Sequence, residues 1–366
     1  MKTTDLQRSL KQQSGLTCSY STAHRMKVSA TQSTQEQLNA SYSVLGSYCR
    51  ELVKDCPGSV AVVQRESDGR FRSVFFMLGR SAHAAVRSPM KIVSMDGGHL
   101  KGVWNGVMLT LTCKDANNTL IHVATVIGPK ENAELYQILL SNCKKNAPLK
   151  ELLEDPKTTF FTDGHKGSPA ALKREAPNAQ RRVCFKHIIG GMKEKVGSDV
   201  NGWLFHAARA PSTVQCDDIL KRHVFPTKPV AYEELLLRPR REWAHSGGPP
   251  DTRICDQVTS NVAESTMSQV GAEARKLPPP DMMRSILERD AERYAKRAIL
   301  GQSGDRWTPF ARKTYEDQRK KSIGLLPTRT GNGWYTVANS TLATQNTRGN
   351  RVQLKFGGPG LDNVWT

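Results

Sequence analysis

From residue 91 the chain reads as one short strand after another, and that run limits what it can become more than any other feature. Lys91–Met95, Val107–Cys113 and Leu120–Ile127 favour β structure, the last two joined by the turn-forming Lys114-Asp115-Ala116-Asn117-Asn118. Helical spacing follows over about Asn132 to Lys144, with Leu135, Ile138, Leu139 and Cys143 on one face. Thr158–Thr162 and Arg181–Cys184 read as a fourth and a fifth strand, each leading into a helical stretch. Upstream, Leu6, Leu10 and Leu16, then Tyr42, Leu45, Tyr48, Leu52 and Val53, predict short helices that stop at Cys56-Pro57-Gly58. A hairpin around Asp68-Gly69 is expected next, within residues 59–80.

The 366 residues carry a formal charge of +19, and the basic excess is spread along the chain except in a neutral stretch near 191–270. Such a charge suits a long polyanion better than a small acidic ligand. With 38% hydrophobic residues the chain can bury a core, yet no apolar run approaches the length of a membrane span. The N-terminus lacks the apolar stretch of a secretory signal, and the eight cysteines are scattered with no CxxC pair. A reducing compartment, cytoplasm or nucleus, is the expectation.

Asp96 of Met95-Asp96-Gly97-Gly98 and Asp163 of Thr162-Asp163-Gly164 each follow a strand directly, and a glycine comes next. Both acids are therefore expected at strand ends, with glycine turning the chain away. If the two strands are neighbours, the ends lie about 5 Å apart. Carboxylates that close repel unless a cation lies between them, and a hard divalent ion suits oxygen ligands. Taken singly, each Asp-Gly is also an ordinary turn. Glu264, in Asn261-Val262-Ala263-Glu264, opens a helix and is a candidate third ligand; a capping box explains the same spacing equally well.

Four motifs in register carry a resemblance: Asp96-Gly97-Gly98-His99-Leu100-Lys101-Gly102, Asp163-Gly164-His165-Lys166-Gly167, Cys184-Phe185-Lys186-His187 and Asn261-Val262-Ala263-Glu264-Ser265. Together they resemble the transposase domain of Mutator-like elements (MULE), a family of DDE transposases. The likeness covers about 90–300, and less specifically Tyr42–Gly58 and Arg72–Ala82. It implies an α/β fold: a ribonuclease H-like mixed five-stranded sheet with flanking helices, an α-helical insertion and a helical N-terminal lead-in. The corresponding division is a lead-in over 1–85, core over 86–196, insertion over 197–257, core completion with the glutamate helix over 258–301, and a basic, partly disordered tail over 302–366. The proline-cut stretch at 197–257 stands where the insertion belongs.

The resemblance further implies that Asp96, Asp163 and Glu264 hold two Mg2+ or Mn2+ ions for hydrolysis and strand transfer at terminal inverted repeats. Double-stranded DNA would be the partner, a homo-oligomer on DNA the working form, and the nucleus the location. Cys184 and His187, three apart and read as sharing a helix face, are half a zinc set; a structural or supporting role is favoured and zinc is not expected. His99, Lys101, His165 and Lys166 could contact the scissile phosphate or be solvated loop residues. Arg312-Lys313 and Arg319-Lys320-Lys321 could follow a DNA backbone or form a solvated helix face. Trp203 and Trp243 are read as packing residues before base-stacking ones. Gly98 and Tyr136 depart from the Thr and Trp usual at those places. No cysteine follows Cys255, so the C-terminal SWIM finger of many relatives is not expected, and the ending reads as truncated or diverged. A domesticated, non-cutting DNA-binding regulator is the rival reading.

Overall fold

The computed structural model describes residues 17–88, 90–102, 104–196, 201–248, 270–271, 273–300, 307–323, 325–331, 334–339 and 350–353, with a few isolated positions besides. The chain divides into two compact units, Met1–Ser303 and Gly304–Thr366.

The first unit is built on a mixed seven-stranded sheet. Its strands are β1 (Val60–Arg65), β2 (Phe71–Met77), β3 (Ile92–His99), β4 (Val107–Lys114), β5 (Leu120–Gly128), β6 (Thr159–Thr162) and β7 (Gln180–Val183), in the order β1-β2-β5-β4-β3-β6-β7. β3, β4 and β5 pair antiparallel, while β6 and β7 add parallel to β3. That five-strand arrangement is the ribonuclease H-like core. The expected sheet of five is thus corrected to seven. The hairpin β1–β2 belongs to the same sheet, because β2 pairs along the outer edge of β5. Val74, Phe75, Phe76 and Met77 are all buried, so this strand is covered on both faces and could not stand apart as a lead-in.

Alternation along the strands sorts two cores. Phe75, Met77, Val93, Met95, Leu109 and Val126 point to one face. There they meet α2 (Gly79–Val86), α3 (Ala133–Cys143), α4 (Ala147–Glu154) and α5 (Gly167–Glu175). Val74, Phe76, Met108 and Ile127 point to the other face. That face is covered by α1 (Tyr20–Asp55) and α11 (Pro279–Leu300) through Leu45, Cys49, Met282, Met283 and Ile286. From Tyr20 the lead-in runs as one continuous 36-residue helix, and it stops as expected at Cys56, whose N–H bonds Leu52 O.

A third core joins α6 (Phe185–Val196) to a group of short helices: α7 (Asn201–Arg209), α8 (Thr213–Ile219), α9 (Pro229–Leu236) and α10 (Arg240–Trp243). Prolines keep the helices short, and Pro229 sits in the first turn of its helix, where the missing N–H costs nothing. Trp243 is 2% exposed and stacks on Phe185, so it packs this core; Trp203 is half exposed and stacks on His223 at 3.7 Å. The second unit contains α12 (Pro309–Ser322) and a three-stranded antiparallel sheet of β8 (Leu325–Gly331), β9 (Trp334–Asn339) and β10 (Asn350–Gln353). Among the described residues, no helix is long and apolar enough to cross a membrane.

Candidate active site

Strand direction fixes the place of the site. β3, β5, β6 and β7 all run the same way, so their carboxyl ends gather at one edge. The segments delivered there are Asp96–His99, Pro129–Asn132, Asp163–Lys166 and Cys184. The helices that follow β5, β6 and β7 also start at this edge, and helix N-termini favour negative charge.

Asp163 follows Asp96 by the same step that takes Ile92 to its partner Thr159, and the pairing runs Ile92–Thr159, Val93–Phe160, Ser94–Phe161. Continued two residues further, that register sets the two acids level on neighbouring strands. One expectation needs correction here. Asp96 does not end its strand: β3 continues through Gly97 and Gly98 to His99, each residue paired with β4. What ends at Ser94 is the pairing with β6, and Asp96 stands just past that point. Only Asp163 is followed by a true turn, Gly164 having φ +91°, which disfavours any residue with a Cβ.

Backbone N–H groups orient both carboxylates. Gly97 N–H donates to Asp96 Oδ1 at 3.1 Å, and His165 N–H donates to Asp163 Oδ1 at 2.9 Å. Asp96 is 6% exposed and Asp163 half-buried. Glu264, expected as the third acid, lies outside the described residues.

Cys184 and His187 do belong to this edge, though not as two residues of one helical face. Cys184 precedes α6: its N–H bonds Thr162 O at 2.7 Å, and its carbonyl accepts from Ile188 N–H. His187 lies in the first turn, and its pKa is raised from 6.5 to about 9, first by the hydrogen bond with Cys184 and then by the charges of Cys184, Asp96 and Asp163. The imidazole is therefore within electrostatic reach of both acids. Among the described residues, no three His, Cys, Asp or Glu side chains are grouped so as to hold a metal ion.

The remaining candidates divide. His165 reaches the edge, its side chain about a third exposed, and stacks on Tyr136 with ring centroids 5.9 Å apart. His99, at the end of β3, lines a cleft of about 600 Å3 with Asn105, Lys130, Glu131 and His165. Lys101 and Lys166 are exposed; the Lys101 N–H bonds Arg275 O, and Lys166 opens α5. Arg319, Lys320 and Lys321 are exposed on α12 in the second unit.

Sequence reasoning missed Glu131. It precedes α3, and its Oε1 accepts the Tyr136 hydroxyl at 2.6 Å. A Cβ on Gly97 would stand 2.8 Å from its carboxylate, so the residue beside Asp96 must be glycine while Glu131 keeps this place. Tyr136 is fully buried, and its phenol pKa is raised well above 10, by burial first, then by the charge of Asp163, the hydrogen bond and charge of Glu131, and the charge of Asp96. The charges of three carboxylates thus act on one phenol, which is hydrogen-bonded to Glu131. The available signal was topological: Gly128-Pro129-Lys130-Glu131 leaves β5 at the edge that holds both Asp residues.

The family model of the MULE transposase domain matches residues 92–190, from the first residue of β3 into α6. Over residues 92–190 the chain matches a MULE transposase domain. The match spans both Asp96 and Asp163, as well as Cys184 and His187, and stops short of Glu264. No curated protein matches the chain.

Proposed function

We propose that this chain is a DDE-type nuclease that cuts DNA at terminal inverted repeats and joins the ends to target DNA. The observation that carries this reading is the parallel β3–β6 register, in which Asp96 and Asp163 each stand two residues past the last pair, Ser94–Phe161. The donor set fits hard divalent cations: carboxylate oxygens, oriented by backbone N–H groups, at an edge where three helices begin. Asp96, Asp163 and Glu264 would hold two Mg2+ or Mn2+ ions. The chain on either side of Glu264 supports its inclusion. Val258 O accepts from Phe185 N–H, next to Cys184, and Val270 packs on the sheet face to which Asp96 points.

When bound, the ions supply Lewis acidity and a lowered pKa for the attacking water or 3′-hydroxyl. The protein's own part is positioning. Asp96 and Asp163 are fixed by their N–H partners, so the scissile phosphate meets a preset array rather than one that must reorganise. His99, Lys101, His165 and Lys166 surround this edge and offer donors to phosphate oxygens. Basic residues elsewhere, including Arg319, Lys320 and Lys321, would add salt-sensitive backbone attraction. DNA as partner and the nucleus as location follow from this reading.

Asp96→Ala, Asp163→Ala and Glu264→Ala are each expected to abolish metal-dependent cleavage of terminal-repeat duplexes while leaving DNA binding largely intact. Cleavage retained in any one of them removes that residue from the site. The rival, a binding protein that does not cut, would give salt-sensitive gel shifts and no nicks from the wild-type chain.

A further inference from the structure

Glu131 is hard to explain as a packing residue. Its side chain is only 16% exposed, its Oε1 accepts from the buried Tyr136 hydroxyl, and its carboxylate lies against Gly97, the neighbour of Asp96. The imidazole of His165 approaches only to 4.0 Å, beyond hydrogen-bond range. His165 Nδ1 already accepts a hydrogen bond from Gly167 N–H at 3.1 Å. The nitrogen nearest Glu131 is thus engaged with a backbone N–H rather than with the carboxylate. Close approach of α3 and α5 builds this meeting: a Cβ on Gly167 would stand 2.7 Å from Ala133 N. Among the described residues, Glu131 makes no other ion pair. A carboxylate this buried needs compensating charge.

We propose that Glu131 is an outer-sphere carboxylate of the Asp96–Asp163 edge, held by Tyr136 to accept a hydrogen bond from the hydrated divalent cation that the two Asp side chains bind. The role rests on the reading of Asp96 and Asp163 as cation ligands. It makes Glu131 a positioning residue: it is not grouped with the two acids as a direct ligand set. It also gives Tyr136 a task, that of fixing the carboxylate, and gives Gly97 one, that of leaving it room.

Mn2+ binding to the full chain without DNA tests this, followed by electron paramagnetic resonance, with unfolding midpoints measured alongside. Glu131→Gln keeps an acceptor for the Tyr136 hydroxyl and removes only the charge. It is expected to weaken Mn2+ binding about 10-fold, the usual effect of losing an outer partner, with the unfolding midpoint of the metal-free protein unchanged or raised. Gly97→Ala retains every acid but displaces the Glu131 carboxylate, and is expected to weaken Mn2+ binding as well. Asp163→Asn serves as the control. If Asp163→Asn abolishes binding while Glu131→Gln and Gly97→Ala bind like wild type, Glu131 has no such role and the cation site stands. If Asp163→Asn binds like wild type, the cation site itself fails, and the role of Glu131 with it.

Discussion

Two polar clusters lie on the one sheet, and they differ in how their charges are met. On β5, His122 Nδ1 meets Asp290 of α11 at 2.5 Å, and its Nε2 meets the Thr125 hydroxyl at 2.7 Å. Arg293, one turn along α11, approaches the other Asp290 oxygen at 3.7 Å. His122, Thr125 and Asp290 are each at most 6% exposed. This cluster closes on itself and fastens a helix to the sheet. At the carboxyl edge, by contrast, Asp96, Asp163 and Glu131 bring like charge together beside an open cleft. An arrangement that only served stability would not collect acids there. The first cluster pairs its charges within itself; at the edge, His187 is the nearby group whose protonated form the acids favour, and the cleft beside them is open.

The sharpest break in that contrast is expected at the closed cluster. Asp290→Ala leaves buried imidazole without its partner and should lower the unfolding free energy by about 3 kcal/mol, measured in urea, while Mn2+ affinity stays at the wild-type value. A large loss of metal affinity would show that the two clusters act as one. Next in size is the effect of the cation. Mg2+ at about one hundred times its Kd should stabilise the wild type by about 2.7 kcal/mol, seen as a raised melting temperature. The same addition should leave Asp96→Asn unmoved.

A smaller effect has the opposite sign from the usual mutational loss. Asp163→Asn relieves repulsion among the acids and should stabilise the metal-free protein by about 1 kcal/mol in urea unfolding; a loss of that size would mean that the edge is held together by Asp163 itself. Smallest is Thr110→Val. Thr110 pairs with Asp96 on one side and Thr125 on the other, so it stands between the clusters, and its buried hydroxyl has no partner among the described residues. Removing that hydroxyl should be neutral or stabilising by up to about 1 kcal/mol and additive with Asp290→Ala. Non-additivity would reveal a polar row running between them.

The contrast also marks what was legible in the sequence. Short β-favouring runs found the five core strands to within a few residues: β3, β4 and β5 are apolar on at least one face, and β6 and β7 are short runs leading into helices. Asp96 and Asp163 were visible because both follow such runs directly. The extension of β3 through Gly97-Gly98 was not, since a glycine pair reads as a turn until its partners on β4 are known. The hairpin's place in the sheet depends on which edge β5 leaves open, a property of the assembled strands. His122 and Asp290 are 168 residues apart, and only tertiary packing joins them. Glu131 reads as an ordinary acid ahead of a helix, where its charge is favourable in any case; the phenol that fixes it is five residues on, inside that helix.

Nicking of duplex DNA by the full chain, with and without Mg2+, bears most directly on the central claim. Nicks that require the ion and vanish in Asp96→Asn are the predicted result. Salt-sensitive DNA binding with no nicks, or nicks that persist in Asp96→Asn, would contradict it.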